Sequence, residues 1–200
     1  MKKFILHDPK LLMYGFLIIF FASYGQTFFI ALFNDDIKDI YNLSDGEFGM
    51  VYALSTTLSS LLLINFAKLI DTVDLRIYSF FVTIGLLIPC FAIYFLPENI
   101  FFLFIIIFGL RFFGQGAMTH AGITSMTRYF GDNRGKAISF GNLGGMFGIM
   151  FLPMIVVYLY QYFDFKQIWL LGSLSLILFL PILYFTLSNQ IERQSKFQDT

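Results

Sequence analysis

Charged residues are scarce in this sequence. Of its 200 residues, 13% are charged, and 58% are hydrophobic, with a mean hydropathy of +0.74. A soluble globular protein has about 25% charged residues. So few charged residues cannot build the polar surface that a water-soluble fold of this length needs. Lipid must therefore be the solvent for much of the chain.

The sequence also has little cysteine and no net charge. Cys90 is the sole cysteine, and one cysteine cannot form an internal disulfide. Lys and Arg together number 13, as do Asp and Glu, so the net charge is zero and no nucleic-acid partner is expected. The sequence has no His-x-x-Glu-His type motif, and we expect neither a metal site nor a cofactor.

Long apolar segments are plentiful. A helix needs about 20 apolar residues to cross a bilayer. Because unpaired backbone amides are costly in hydrocarbon, each such segment is predicted to be helical, which makes this an all-α membrane protein. Six segments qualify: Leu11–Phe33, Phe48–Ala67, Ile77–Leu96, Ile100–Thr127, Ala137–Phe163 and Gln167–Leu187. The first is too long for a signal peptide and is predicted to remain as an uncleaved span.

Basic residues predict the orientation of the bundle, because they concentrate on the cytoplasmic side. With the N-terminus inside, only Lys38 and Lys166 lie outside. We therefore expect a multi-pass protein of the plasma or inner membrane with both termini in the cytoplasm. Residues 1–10 are then a cytoplasmic N-terminus, 11–187 the six-span domain, and 188–200 a cytoplasmic tail or the start of a linker. Ten basic residues lie inside: Lys2, Lys3, Lys10, Lys68, Arg76, Arg128, Arg134, Lys136, Arg193 and Lys196.

The loop after the second span carries a family resemblance. It runs from Ala67 to Arg76 and resembles the loop signature of the major facilitator superfamily, Gly-x-Leu-Ala-Asp-x-x-Gly-Arg-Lys/Arg, with matches at Leu69, Asp71 and Arg76. The resemblance implies that Asp71 and Arg76 serve a cytoplasmic latch, in which Asp71 bonds to a neighbouring helix end or base when the inner gate is closed. The alternative is that both are solvated determinants of topology.

Two further segments extend this resemblance. Arg111, followed by Gln115 and Gly116, is similar to the fourth-helix pattern of the superfamily, and the glycine-rich run Gly141–Gly148 is similar to its monocarboxylate and oxalate/formate branches. Six spans form one half of that fold, and the substrate site lies between two halves. The resemblance implies the N-terminal half of a secondary transporter. We expect a truncated chain that lacks its C-terminal half, or, as the alternative, a half-transporter that pairs with a second copy.

Arg111 is the one charge inside the predicted spans, which contain no Asp or Glu. A charge at mid-membrane costs at least about 2.5–3.5 kcal/mol and generally faces a cavity. We interpret Arg111 as a fixed positive charge that meets an anionic substrate. The alternative is a structural arginine that is satisfied by carbonyls, by Gln115 or by a carboxylate of the missing half.

Helical geometry at 100° per residue predicts which side chains share the face of Arg111. His120 is predicted to point to the opposite side and to bond to a neighbouring helix rather than carry a proton. Small residues on the Arg111 face leave room either for a ligand or for another helix. The predicted stripe consists of Gln115, Met118, Gly122 and Ser125.

The first span carries Tyr24, Gln26 and Thr27 just past its centre. In the superfamily the first and fourth helices line the cavity, and Tyr24 and Thr27 share a face at i, i+3 spacing. We hypothesise that these three residues contribute hydrogen bonds to the substrate. The alternative is polar contact between helices, worth about 0.6 kcal/mol each.

In the fifth span, Asn142 is a weaker candidate for contact with the substrate. It lies among glycines spaced four residues apart, Gly141 with Gly145 and Gly144 with Gly148. Such spacing predicts a close approach of two helices.

Three functions fit a six-span membrane protein. The favoured one is a secondary transporter of a small organic anion that works by alternating access across the lipid bilayer. A membrane subunit or dimerising half-transporter without a complete cycle of its own is the alternative. An intramembrane hydrolase is disfavoured, because the sequence lacks a Gly-x-Ser-x-Gly-like turn with a histidine on another span. We therefore expect a transporter and not an enzyme.

Overall fold

A computed structural model describes residues 8–95 and 99–198, and the part of the chain that it describes is helical without strands. Two helices that meet at a 46° bend, Pro9–Gly25 and Thr27–Tyr41, make a first span when they are counted together. The predicted all-α membrane bundle of six spans is thereby confirmed. The second to sixth spans are Asp45–Thr72, Leu75–Phe95, Ile100–Tyr129, Gly131–Leu159 and Phe165–Thr186, and a tail helix follows at Gln190–Gln198.

The bounds of the first and fifth spans differ from the prediction. The first span continues through the polar segment after Phe33, because Ile37 stays buried there, and it ends where Asn42 adopts a left-handed backbone with φ of 50°. The fifth span ends at Leu159 rather than Phe163, because the chain turns back there to reach the cap of the sixth span. Leu96, the predicted end of the third span, and residues 1–7 lie outside the described residues.

Side-chain caps mark where the second and sixth spans begin. Ser44 and Glu47 form a capping box at the second span, and Asp164 and Gln167 form one at the sixth. Such caps satisfy backbone amides that have no helical acceptor. The amides would otherwise be costly to bury near the membrane boundary, so these polar residues set where each span begins.

The first span lies at the centre of the bundle. Leu11, Tyr14 and Ile18 are fully buried, and the hydroxyl of Tyr14 shares a 2.8 Å hydrogen bond with Ser79 of the third span. On the fifth span, a Cβ added at Gly144 would lie 2.0 Å from the carbonyl oxygen of Phe16. The close helix approach predicted from the glycine spacing is therefore confirmed, and its partner is the first span.

The second and fifth spans are the least buried of the six, and large apolar side chains cover their exposed faces. These faces therefore need lipid or another apolar surface as their surroundings. Examples are Leu54, Leu61, Ile64, Met146, Met154 and Val157.

The tail helix ties the two described ends of the chain together. Arg193 donates two hydrogen bonds to the Asp8 carboxylate, of 2.5 and 2.8 Å, and Gln190 donates one of 2.7 Å to the Tyr129 hydroxyl. Arg193 is largely buried, so this pair is shielded from water. Both described ends of the chain consequently lie at the same end of the bundle.

Candidate functional site

The first and fourth spans are irregular at the point where they cross. Gln26 has an extended backbone, with φ of −80° and ψ of 150°, and it separates the two helices of the first span. The fourth span contains a π-helical segment, Leu110–Met118. A Cβ added at Gly25 would lie 2.0 Å from the Leu110 carbonyl oxygen and 2.7 Å from the Cα of Gly114. Only glycine at position 25 permits this contact between the two backbones.

Arg111 reaches from the π-helical segment to the break in the first span. Its Nη1 donates hydrogen bonds to the Gly25 carbonyl oxygen, at 3.1 Å, and to the Thr27 hydroxyl, at 3.0 Å. The extended backbone at Gln26 interrupts the helical hydrogen bonds, and a carbonyl left without a donor is costly in a membrane. Arg111 supplies that donor and is itself only 6% exposed.

Tyr52 of the second span completes this group. The Cζ atom of Arg111 lies over the Tyr52 ring, 5.4 Å from its centroid, which is within range of a cation–π interaction. The Tyr52 hydroxyl donates a 3.0 Å hydrogen bond to the Thr27 hydroxyl. The first, second and fourth spans are thus joined through Arg111, Thr27 and Tyr52, which we call the Arg111 cluster.

One edge of the Arg111 guanidinium has no hydrogen-bond partner among the described residues. Both hydrogens of Nη1 are directed to Gly25 and Thr27, whereas Nε is buried and makes no hydrogen bond with any described residue. No described bond involves Nη2 either. Nε and Nη2 together form an edge with two parallel donors, which matches the two oxygens of a carboxylate.

No carboxylate within the described ranges, 8–95 and 99–198, neutralises Arg111. The acids of the ion pairs there are Asp8, Asp35, Asp45, Asp71 and Asp74, and their basic partners are other residues. The Arg111 cluster is therefore a positively charged site inside an apolar bundle. In the same described part, no group of three or more His, Cys, Asp or Glu residues could hold a metal ion.

Comparison with known families identifies the bundle. The family model of the Major Facilitator Superfamily matches residues 15–199. The chain belongs to the major facilitator superfamily. It is therefore a membrane transporter of that superfamily, and its described spans correspond to a half bundle of the fold. No curated protein and no solved structure gives a significant match to it.

Within this superfamily member, the stripe predicted around Arg111 does not follow α-helical geometry. A π-helix has more residues per turn than the 3.6 of an α-helix, so the angles assumed at 100° per residue fail across Leu110–Met118. Gly122 packs against the first span, where an added Cβ would lie 2.5 Å from Ile19. Met118 and Ser125 are buried, and Ser125 donates to the Gly122 carbonyl. At Gly122 the small residue therefore makes room for the first span.

Gln115 lies within the π-helical segment, four residues after Arg111. Its side chain is half-buried, and its Oε1 atom is buried without a hydrogen-bond partner among the described residues. Thr56, one turn after Tyr52 on the second span, also has a buried hydroxyl without a described partner. The spans next to the Arg111 cluster therefore hold polar atoms that a ligand or water could satisfy.

Tyr24 and Thr27 do not share a face, which corrects the prediction from their i, i+3 spacing. The extended backbone at Gln26 lies between them and breaks the helical repeat. Tyr24 is 6% exposed, and its hydroxyl shares a 2.8 Å hydrogen bond with Ser175 of the sixth span. Thr27 is exposed and contacts Arg111 instead. The two residues therefore bond to different spans.

The remaining predicted residues lie apart from these contacts. Gln26 is half-buried at the break itself, and Asn142 is exposed on the fifth span. No described hydrogen bond joins either of them to Arg111. His120 lies 3.4 Å from the Thr124 hydroxyl on its own helix.

The charges of the loop signature form two separate pairs. Asp71 accepts a short hydrogen bond from Arg128, at the end of the fourth span, and Arg128 also donates to the Ile70 carbonyl at 3.0 Å. Arg76 instead pairs with Asp74, over 3.1 Å, at the start of its own helix. An open cavity of about 1070 Å³ lies beside the first pair and reaches the tail helix. Asp71 thus bonds to a base on a neighbouring helix end.

Three residues with these contacts were not among the predicted site residues: Gly25, Tyr52 and Arg128. Tyr52 is the one aromatic residue between Phe48 and Phe66 of the second span, and it stands one turn before a run of hydroxyl residues. An isolated tyrosine with that placement was the available signal. No pattern in the sequence could have indicated the freed carbonyl of Gly25, because it depends on the break in the backbone.

Proposed function

We propose that this transporter carries a small organic carboxylate by alternating access and that Arg111 binds the carboxylate. The observation that carries the proposal is the buried Nε of Arg111, which has no hydrogen-bond partner among the described residues. Two parallel donors on a fixed positive charge recognise a carboxylate with both geometry and charge. Gly25 and Thr27 hold Nη1, so the edge is oriented before the substrate arrives.

The electrostatic balance supports an anion over a neutral or cationic solute. Removing a charge from water is costly, and a buried charge is retained where a partner compensates it. None of the described ion pairs compensates Arg111. A bound carboxylate supplies the compensating charge, whereas a cation would add repulsion at the same place.

The substrate site in this proposal lies between this half bundle and a second one, as it does in transporters built from repeats. The apolar faces of the second and fifth spans are the surfaces that the second half or a second copy would cover. Together with the distribution of basic residues, the pairing of Asp8 with Arg193 supports a proposal that both termini lie in the cytoplasm.

Uptake by the full-length protein in proteoliposomes tests the role of Arg111. We expect Arg111→Gln to abolish uptake of labelled short-chain carboxylates. Arg111→Lys should retain part of the uptake with a raised KM, because lysine keeps the charge but not the two parallel donors. Arg134→Gln, which removes an exposed arginine at the end of the bundle, is the matched control and should not change uptake. Normal carboxylate uptake by Arg111→Gln would overturn the proposal.

A further inference from the structure

Tyr52 stands at the side of the Arg111 guanidinium, on a different span from the other members of the cluster. Its ring centroid lies 5.4 Å from the Arg111 Cζ, and its hydroxyl donates to Thr27. The ring is therefore held at both of its ends, by its own helix and by a hydrogen bond to the first span. A side chain restrained in this way sets the amount of space beside the guanidinium.

The hydrogen bonds of Thr27 explain why the ring is held firmly. A hydroxyl oxygen accepts two hydrogen bonds and donates one. Thr27 accepts one from Arg111, at 3.0 Å, and one from Tyr52, at 3.0 Å. Its own hydrogen remains available, and the Thr27 side chain is exposed. Thr27 can therefore donate a hydrogen bond to an anion while it still accepts hydrogen bonds from Tyr52 and Arg111.

The shape of an anion decides whether it fits beside such a ring. A carboxylate on the Nε–Nη2 edge is planar, and it places its two oxygens and its carbon chain in the plane of the guanidinium. A sulfonate that uses two oxygens on the same edge holds its third oxygen and its carbon on opposite sides of that plane. It therefore needs space on both sides of that plane, and the Tyr52 ring, 5.4 Å from Cζ, limits the space beside the guanidinium.

We propose that Tyr52 is a specificity-determining residue of the Arg111 site, whose ring admits planar carboxylates and excludes anions with a third oxygen such as sulfonates. The inference rests on the proposed function, because it takes Arg111 as the residue that binds the anion. The hydroxyl of Tyr52 contributes by anchoring the ring to Thr27, and the ring itself provides the exclusion.

Ligand-induced thermal stabilisation of the purified full-length protein measures this selectivity without a transport assay. The probes are propionate and ethanesulfonate, which have the same alkyl chain, and the dependence of Tm on concentration gives a Kd for each. In the unaltered protein, propionate should bind and ethanesulfonate should bind far more weakly. In Tyr52→Ala, the ratio of the two Kd values should fall by about tenfold, the discrimination that one steric contact supplies.

Two further variants make the result specific to the ring. Tyr52→Phe retains the ring and should preserve most of the selectivity, which also covers the case in which Tyr52→Ala fails to fold. If Tyr52→Phe is the only folded variant, equal Kd values for propionate and ethanesulfonate in the unaltered protein would still refute the role of Tyr52. Tyr184→Ala, a change at a tyrosine that is 65% exposed on the sixth span, is the matched control and should keep the ratio unchanged.

The outcomes separate this inference from the proposed function. If propionate stabilises the unaltered protein and Arg111→Gln equally, or stabilises neither, Arg111 does not bind the carboxylate and the proposed function fails. If propionate binding requires Arg111 but the unaltered protein binds ethanesulfonate equally well, or Tyr52→Ala keeps the original ratio, only the role of Tyr52 is refuted.

Discussion

Arg111 on the fourth span donates a 3.1 Å hydrogen bond to the backbone carbonyl of Gly25 at the break in the first span. In hydrocarbon, an unsatisfied carbonyl costs several kcal/mol, so the arginine takes the place of the helical amide that the break removes. The same side chain presents its other edge as a candidate anion site. Changes at Arg111 should therefore affect both stability and uptake, and each Arg111 variant needs a measurement of its thermal midpoint.

The crossing of the first and fourth spans predicts a large effect of Gly25→Ala. The added Cβ would meet three backbone atoms, the Leu110 carbonyl oxygen, the Gly114 Cα and the Gln115 nitrogen, which cannot rotate away as a side chain can. We expect a loss of about 3 kcal/mol or more, at the upper end of overpacking effects, seen as a lower midpoint of thermal unfolding in detergent. Gly46→Ala is the control, because no heavy atom lies within 4 Å of its Cβ position.

The control variant Gly46→Ala also has an expected direction of change in its thermal midpoint. Gly46 lies in the first turn of the second span, where alanine is favoured over glycine by up to about 1 kcal/mol. Gly46→Ala should therefore leave the midpoint unchanged or raise it. Equal midpoints for the two alanine variants would show that the first and fourth spans do not touch at Gly25.

The contact between the first and fifth spans gives a second prediction. A Cβ at Gly144 would lie 2.0 Å from the Phe16 carbonyl oxygen, so Gly144→Ala must push the two helices apart. We expect a loss of about 1–3 kcal/mol in the free energy of unfolding, measured in detergent. Gly135→Ala, with no heavy atom within 4 Å of its Cβ position, should show no loss. A Gly144→Ala protein as stable as the unaltered one would contradict the packing described here.

The spans could be predicted from the sequence because the bilayer imposes a simple requirement of length and apolarity. The predicted order and number of spans agree with the described helices once the bent pair is counted as one. Their ends were less predictable. Tertiary packing decides them, as the burial of Ile37 in a polar segment illustrates for the first span.

Part of the Arg111 cluster could also be predicted. The cost of a charge in hydrocarbon singles out Arg111, and the carbonyl partner was among the alternatives weighed for it. Its neighbours were harder to predict, because the first and fourth spans are not continuous α-helices. The extended backbone at Gln26 turns Tyr24 and Thr27 toward different spans, and the π-helical segment changes the angles after Arg111. Neither irregularity has a sequence signature as strong as hydropathy.

The placement of Tyr24 predicts that Tyr24→Phe leaves substrate binding unchanged. The side chain is buried, and the substitution removes only the hydroxyl that bonds to Ser175. We expect a loss of about 0.6 kcal/mol of stability, typical of polar contacts between membrane helices. The KM of carboxylate uptake should not change, whereas Thr27→Val, which removes a hydroxyl bonded to Arg111, should raise it. A raised KM for Tyr24→Phe would instead indicate that the Tyr24 hydroxyl contacts the substrate.

The pairing of Asp71 with Arg128 predicts which charges of the loop signature are energetically coupled. In a double-mutant cycle of Asp71→Ala and Arg128→Ala, we expect a coupling of about 0.2–1 kcal/mol, because the Asp71 side chain is 66% exposed and water screens the pair. High salt should reduce this coupling further.

The matched cycle combines Asp71→Ala with Arg76→Ala, and its effects should be additive, because Arg76 bonds to Asp74 and not to Asp71. Thermal unfolding of the single and double variants in detergent measures both cycles. Coupling between Asp71 and Arg76 without coupling between Asp71 and Arg128 would show that the loop signature forms a different ion pair from the one described. Coupling to Arg128 alone would make the end of the fourth span the partner of the loop, and so link the loop to the helix that carries Arg111.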